Sequence, residues 1–333
     1  MNAHADRPTI SSTPGPTAPL ALVAGASRGL GLLVARELGR RGHRLVICAR
    51  SGEELDAARE QLTAEGLAVR TAVCDVSDAD AVDELVTAVE TQDGPIEVAV
   101  VVAGVIQVGP LASLTRAHFD EAISIMLWGP INVGLAVSGP MRGRGSGRIG
   151  IITSIGGLVP VPHLLPYSTA KFGAVGFSAG LRSELAGTGV KVTTVAPGLM
   201  RTGSHLRATF TGRQGAEYAW FAPSATLPLI SMNPEKAAAT IVDGVLAGRA
   251  YVLLSLLTKV GARVNGLAPT TTAALMGIFS RLLPEGPAPS GTDTVQGYQV
   301  EERLKAVPAA LVKAVTVLGR ASARRWNQAP TKI

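Results

Sequence analysis

The chain is poor in cysteine, aromatics and histidine, and it has no long apolar run. Cys48 and Cys74 are its two cysteines. So few exclude a disulfide scaffold and a cysteine-built zinc site. Both sit in apolar stretches and read as reduced core residues. Aromatics are 4% of the chain and there are 5 histidines. That argues against base-stacking nucleic-acid modules and histidine-rich metal sites. No uninterrupted apolar run reaches the roughly 18 residues of a spanning helix. Residues 1–19 are rich in Pro, Ser and Thr, without a basic stretch leading into an apolar one. They read as a flexible leader, not a secretory signal, and a cytoplasmic location is expected.

What is present is a large core. Apolar residues are 47% of 333, enough for one α/β domain of ~250 residues with additions. From Leu20 the pattern alternates. Strands are expected at 20–24, 44–49, 68–73, 97–103, 148–154 and 190–196, with a short one near Tyr251. Helical patterns separate them, the longest over 116–141. Alternation of this kind means parallel pairing through right-handed crossovers. The expected fold is a doubly wound parallel sheet of the Rossmann type, about seven strands with helices on both faces. A helical C-terminal extension follows. The expected organisation is a leader over 1–19, a catalytic domain over 20–252 and an extension over 253–333. In the extension, residues 253–257 with Lys259 and Arg263, and residues 273–283, read as two apolar helices with basic edges. Residues 284–294 read as a loop. Residues 308–325 read as a basic amphipathic helix with Leu311, Val315 and Leu318 on one stripe.

The net charge is +6. Such a surplus serves nucleic acid, an anionic membrane, plain solubility or a phosphorylated ligand. The positions of the arginines decide. Gly25, Ser27, Arg28, Gly29, Leu30 and Gly31 form a glycine-rich turn between the first strand and the first helix. Glycine lets backbone N–H groups approach a phosphate closely, and a helix N-terminus favours the anion. Its Gly-x-x-x-Gly-x-Gly spacing departs from the common dinucleotide fingerprint. The second strand ends at Arg50, with no carboxylate among Cys48, Ala49, Arg50 and Ser51. Two guanidinium groups, Arg28 and Arg50, suit a 2′-phosphate, so NADP(H) is the expected cofactor.

Tyr167 and Lys171 stand at i and i+4, on one face of a helix. A free phenol, with a pKa near ~10, is a weak acid or base at neutral pH. A neighbouring ammonium is expected to lower that value. Ser154 lies thirteen residues before Tyr167, at a strand end. Its hydroxyl suits a carbonyl oxygen that gains charge during reaction.

The turn, the serine and the Tyr/Lys pair, in this order and spacing, resemble the short-chain dehydrogenase/reductase family over roughly residues 20–252. The resemblance implies hydride transfer between a nicotinamide and a carbonyl or hydroxyl carbon, with Ser154, Tyr167 and Lys171 catalytic. It implies that Asp75, with Val76 beside it, meets the adenine. It further implies that Ala103 and Gly104 border the adenosine ribose, that Pro197 and Gly198 flank the nicotinamide, and that Thr202 bonds its carboxamide. It implies homodimers or homotetramers built through two long helices. One residue departs from the family pattern: Met126 stands where the family has an asparagine that supports a helix bend and a proton-relay water.

Residues 199–232 are expected to form a substrate lid. Leu199, Met200, Leu206, Phe210, Tyr218, Trp220, Phe221, Leu227, Leu229, Ile230 and Met232 gather there. They suggest a hydrophobic ketone or aldehyde, or a lid packed on its own core. The expected activity is NADPH-dependent carbonyl reduction of a small molecule. The alternative is a catalytically weak NADP(H)-binding sensor or scaffold. No metal is expected. The basic apolar helices of the extension suit peripheral membrane contact or packing on the domain. Nucleic acid is not an expected partner, since no basic helix carries groove-reading chemistry.

Overall fold

A computed structural model describes residues 17–227, 231–284, 291–304 and 316–329. Seven parallel strands form the main sheet: β1 (Leu20–Ala24), β2 (Arg44–Ala49), β3 (Val69–Val73), β4 (Ile96–Val101), β6 (Gly147–Ile152), β7 (Val190–Ala196) and β9 (Tyr251–Leu253). Their spatial order is β3-β2-β1-β4-β6-β7-β9. The order reverses beside β1, so the crevice opens at the C-terminal ends of β1 and β4. The expected doubly wound sheet is present. Expected strand ends at Ala68, Ala103 and Ser154 overshoot by one or two residues, because glycine or polar turns take over there.

Helices cover both faces. On one side lie α1 (Gly29–Arg40) and α8 (Pro234–Leu246), packed through Leu33, Val34, Ile241 and Val245. On the other lie α3 (Ala79–Gln92), α5 (Gly129–Arg144) and α6 (Leu165–Glu184), packed through Val86, Val137, Met141 and Leu181. Helix α2 (Gly52–Ala64) is capped by the Ser51 side chain. Cys48 and Cys74 are free and buried in the second layer. Burial pushes the Cys48 thiol up to about 12, so it stays neutral.

Helix α4 (Arg116–Ile123) runs through a π-helical turn at Ser124–Trp128 into α5. The whole span, Arg116–Arg144, is long and apolar enough by composition to cross a membrane. The absence of an unbroken apolar run did not anticipate that. Here Val133, Val137 and Met141 from this span are part of the domain core.

The lid and the extension fold together. A small second sheet joins β5 (Gln107–Val108), β8 (Thr209–Phe210) and β10 (Val295–Gln296). Helix α7 (Gln214–Thr226) packs on α11 (Gly297–Arg303). Tyr218 Oη donates to Glu301, and Arg320 donates to the other Glu301 oxygen at 2.7 Å. Helices α9 (Leu256–Leu267) and α10 (Pro269–Ser280) form a hairpin. The last described helix, α12 (Val317–Arg325), returns to the first layer. There Trp326 is buried between the Arg36 and Arg325 guanidinium groups.

Three expectations need adjustment. The leader over 1–19 is not wholly free: Arg44 donates to the carbonyls of Ala18 and Pro19, while residues 1–16 lie outside the described residues. The loop over 284–294 falls partly on 285–290, also outside. Of the helix expected over 308–325, the structure describes Val317–Arg325; Leu311, Lys313 and Val315 lie outside the described residues.

Candidate active site

The glycine turn is built by close packing. Gly25 has φ +83°, and a Cβ there would sit 2.5 Å from the Ala103 nitrogen. A Cβ on Gly31 would run into the Gly25 carbonyl. No side chain is compatible with either position. Arg28, the N-cap of α1, makes no side-chain bond to the first turn. The positive helix end therefore faces the crevice unsatisfied by its own cap.

A cavity of about 740 Å³ runs from this turn across the strand ends to the lid. Gly25, Ser27, Arg28, Leu30, Gly31, Arg50, Asp75, Val76, Ala103, Gly104, Ser154, Tyr167, Lys171, Pro197, Gly198 and Thr202 all line it. Gly29 does not. Its N–H donates to the Trp326 carbonyl at 2.8 Å, and its Cα faces the Gln328 side chain. A tail that returns from the far end of the described chain thus takes up the Gly29 amide, while Leu30 and Gly31 stay on the cavity. At the adenosine end, Asp75 accepts from the Ser77 N–H and hydroxyl, and lies 3.9 Å from Arg50. It therefore caps a turn and faces the cavity as well.

The three candidate catalytic residues line the same cavity. Strand β6 ends just before Ser154, whose Oγ accepts from the Gly156 N–H at 3.1 Å. Tyr167, from the first turn of α6, stands beside Ser154 and interacts with its side chain. Lys171, one turn on, donates to the Ile152 carbonyl at 2.8 Å. Burial raises the Tyr167 pKa above the ordinary phenol value, and the Ser154 side chain offsets this only partly. This reverses the expectation of a lowered phenol: desolvation by burial governs it, opposed only by Ser154. The same burial pushes Lys171 down to about 8.

That depression has a stability consequence. Below about pH 8 both folded and unfolded chains carry the Lys171 proton, and the fold bears the full cost of burying the charge. Between about pH 8 and the ordinary 10.5 only the unfolded chain binds it. Stability must rise with pH in that window. Thermal melts of cofactor-free protein from pH 7.5 to 10 will show this rise, and Lys171→Met will remove it. A rise of equal size in the variant refutes the assignment.

Met126 lies within the π turn, fully buried against Ala122, Ile125, Ala170 and Tyr167. The bend is therefore kept without an asparagine, in the form that often marks functional helices. The relay group is not kept, since a thioether is at best a weak acceptor. Asn132 does not replace it: its side chain donates to the Val76 carbonyl at 2.9 Å.

Several site residues left no local signal. Glu54, from the first turn of α2, accepts from Ser27 Oγ at 3.1 Å and pairs with Arg28 at 2.5 Å. The strand end holds no carboxylate, but α2 supplies one. In the lid, Trp220 Nε1 donates to the buried Glu217 at 2.8 Å, and Glu217 also meets His163 Nδ1 at 2.9 Å. This network fixes an indole on the cavity wall. Of the expected lid residues, Leu199, Met200, Trp220 and Phe221 reach the cavity. Leu206 is buried, and Phe210 and Tyr218 pack in a separate core, so the segment both lines the cavity and packs on its own core. Leu229 and Ile230 lie outside the described residues.

The residues present fit a phosphorylated dinucleotide. The cradle is one that a single Cβ would fill, Leu30 and Gly31 of the first helical turn border it, and Arg28 and Arg50 line the same cavity. Among the described residues no group of three or more metal-ligating side chains is found.

Comparison with known proteins agrees with the geometry. Residues 19–209 match the family model described as short chain dehydrogenase. A Streptomyces coelicolor protein assigned as a ketoacyl reductase is 40% identical over 185 residues, 55% of this chain and 71% of that one. Gluconate 5-dehydrogenase of Gluconobacter oxydans is 37% identical over 182 residues, again 55% and 71%. Among solved structures, a single-residue variant of actinorhodin polyketide ketoreductase with NADPH is 32% identical. It has a TM-score of 0.65 and covers 74% of this chain and 98% of its own. A metagenomic short-chain oxidoreductase in complex with NADP is 35% identical, with a TM-score of 0.52 over 55% and 84%. The chain belongs to the short-chain dehydrogenase family.

Proposed function

We propose that the protein is an NADPH-dependent reductase of apolar ketones or aldehydes. One observation carries this: Ser154, Tyr167 and Lys171 meet in a single cavity between the glycine turn and an apolar lid. Arg28 and Arg50 would hold the 2′-phosphate, the α1 N-terminus the pyrophosphate, and Lys171 the nicotinamide ribose. Thr202 and the Pro197-Gly198 turn would border the nicotinamide. When bound, NADPH supplies a hydride to the carbonyl carbon. Ser154 orients the carbonyl oxygen by donating to it. Tyr167 gives that oxygen its proton, and the burial that keeps its phenol protonated suits an acid. The Ile152 carbonyl, already bonded to Lys171, would accept from a proton-relay water in place of the family asparagine. Val161, Leu164, Trp220, Phe221, Leu257 and Phe279 line the remaining space, which favours an apolar substrate. Relatives named for ketoacyl reduction, and a neighbour structure holding NADPH, support the direction.

The test is NADPH oxidation across a panel of ketones and aldehydes, with Tyr167→Phe as control. Tight NADPH binding without turnover on any compound favours the sensor reading, which Met126 motivates. A homo-oligomer through the long helices is part of the proposal. Trp128, Leu135 and Phe172 stand exposed there, and sedimentation of the purified chain tests it.

A second feature bears on where the substrate comes from. Leu256, Val260, Leu267, Leu275, Ile278 and Leu282 are all exposed on or beside the α9–α10 hairpin. The hairpin's Leu257 and Phe279 line the cavity. Over residues 244–284 there is no acidic residue, yet Arg249, Lys259, Arg263 and Arg281 are present. Pairing this face with a second copy would oppose like charges, whereas an anionic lipid surface complements them. We propose contact with such a surface. Co-sedimentation with vesicles containing an anionic phospholipid should capture the protein. A Leu267→Ser/Leu275→Ser/Leu282→Ser variant should stay in solution. Absence of binding by the unaltered chain sinks this reading and leaves the reductase reading untouched.

A further inference from the structure

The tail after α12 lies on the glycine turn, well beyond the residues that carry the family match. Its hold is specific. Gly29 N–H donates to the Trp326 carbonyl, and Asn327 Nδ2 donates to the Ser27 carbonyl at 3.3 Å. Arg207 donates to the carbonyls of Gln328 and Ala329 at 3.0 and 2.9 Å. The Trp326 ring is buried under α1. Asn327 adopts a left-handed φ of +54°, which turns the chain inward. The next residue, Gln328, then points into the cavity beside Leu30, Thr202 and Ser204.

Gln328 is 8% exposed. Its backbone N–H is bonded to Ala323, but its carboxamide makes no hydrogen bond to the described residues. The residue is largely buried, yet its amide opens onto the cavity, where it is available to a ligand. This one stands at the N-terminal end of α1, where the first-turn amides also face the cavity. Two N–H donors from a neutral side chain at the positive end of a helix are chemistry for an anion.

We propose that Gln328 is a cofactor-binding residue, its carboxamide donating to the pyrophosphate of NADP(H), and that residues 326–328 form the outer wall of that subsite. This rests on the cofactor reading above. The tail thereby explains the position of Gly29: its amide serves the wall, and Gln328 supplies the donor that Gly29 no longer offers. Arg207 acts as a positioning residue, because it holds the tail by its carbonyls.

The test uses the full chain and two near-isosteric variants, Gln328→Met and Gln328→Glu. NADPH affinity is read by fluorescence titration, and the melting temperature is read without cofactor. Gln328→Met is expected to weaken NADPH binding about tenfold, as loss of a hydrogen bond to a charged group does. Its cofactor-free melting temperature should stay level, since the carboxamide makes no hydrogen bond within the described fold. Gln328→Glu should weaken binding further, by a factor that shrinks as salt is added. Affinities within about twofold of the unaltered chain in both variants overturn the proposal. So does a loss of affinity matched by a lower cofactor-free melting temperature, which assigns Gln328 to the fold alone. Failure of the unaltered chain to bind NADPH overturns the cofactor reading and this proposal together. Binding that ignores Gln328 overturns only this one.

Discussion

Tyr167→Phe will lower carbonyl turnover by about 10²–10⁴-fold, the range expected for loss of a positioned general acid. NADPH affinity should stay within about threefold. The substitution removes one oxygen and keeps the ring, whose edge lies close to Gly156 and whose body packs with Met126 and Ala170. Ser154 keeps its bond from the Gly156 N–H, so the carbonyl can still be oriented. The loss should therefore fall on kcat more than on KM. The pH profile supplies a second check. Burial holds the phenol above its ordinary pKa, so reduction should persist into the alkaline range and fall only when the phenol loses its proton. The phenylalanine variant should lack that limb. Steady-state NADPH oxidation from pH 6 to 10 measures both, and a variant with unaltered kcat removes Tyr167 from the mechanism.

Removing Arg28 and Arg50 together will cut kcat/KM for NADPH by about 100-fold or more while changing that for NADH little. Each guanidinium is expected to make a charge-assisted bond to the 2′-phosphate, and such bonds contribute about 1.5–3 kcal/mol each. Glu54 gives the pair a built-in opponent. Its carboxylate engages Arg28 and Ser27 and lines the same cavity. An arriving phosphate must share Arg28 with it. Glu54→Gln should therefore raise the NADPH-to-NADH preference several-fold, opposite in sign to the arginine variants. The ratio of kcat/KM for the two cofactors, measured on one substrate, decides. A ratio unchanged in both the double-arginine variant and Glu54→Gln means that the 2′-phosphate is recognised elsewhere.

The parts of this molecule that were legible in sequence are those whose signal is local. Strand β1 and residues 45–49 of β2 declare themselves as unbroken apolar runs, because both of their faces are buried. The glycine turn, Ser154, Tyr167 and Lys171 are fixed by short spacings within a strand–turn–helix or a single helical turn. Glu54 was missed because it stands in α2 like any acidic residue of a first helical turn, where the dipole alone accounts for it. Gln328, Asn327 and Trp326 act on a turn some three hundred residues away, as the Asn327–Ser27 bond does. No periodicity connects them. The short strands β5, β8 and β10, two residues each, lie below the length at which alternation can be read. Met126 misled in a different way. An apolar residue at the usual asparagine gives no sign of a bend, yet the π turn remains, since backbone and packing hold it.

The docking of Trp326 and Asn327 on the first glycine turn also sets a schedule for the nascent chain. Ribosomes add about 5–20 residues per second. The 300 positions between Ser27 and Asn327 thus take roughly 15–60 s to make. Through that interval the strands can emerge and pair in order while the turn between β1 and α1 lacks its outer wall. Cofactor that arrives early meets a site open on one side. Full retention comes only after residues 326–328 have been synthesised and folded back. The outer wall is therefore the last part of the site to be laid down, although the turn at its centre is among the first parts of the domain to be made.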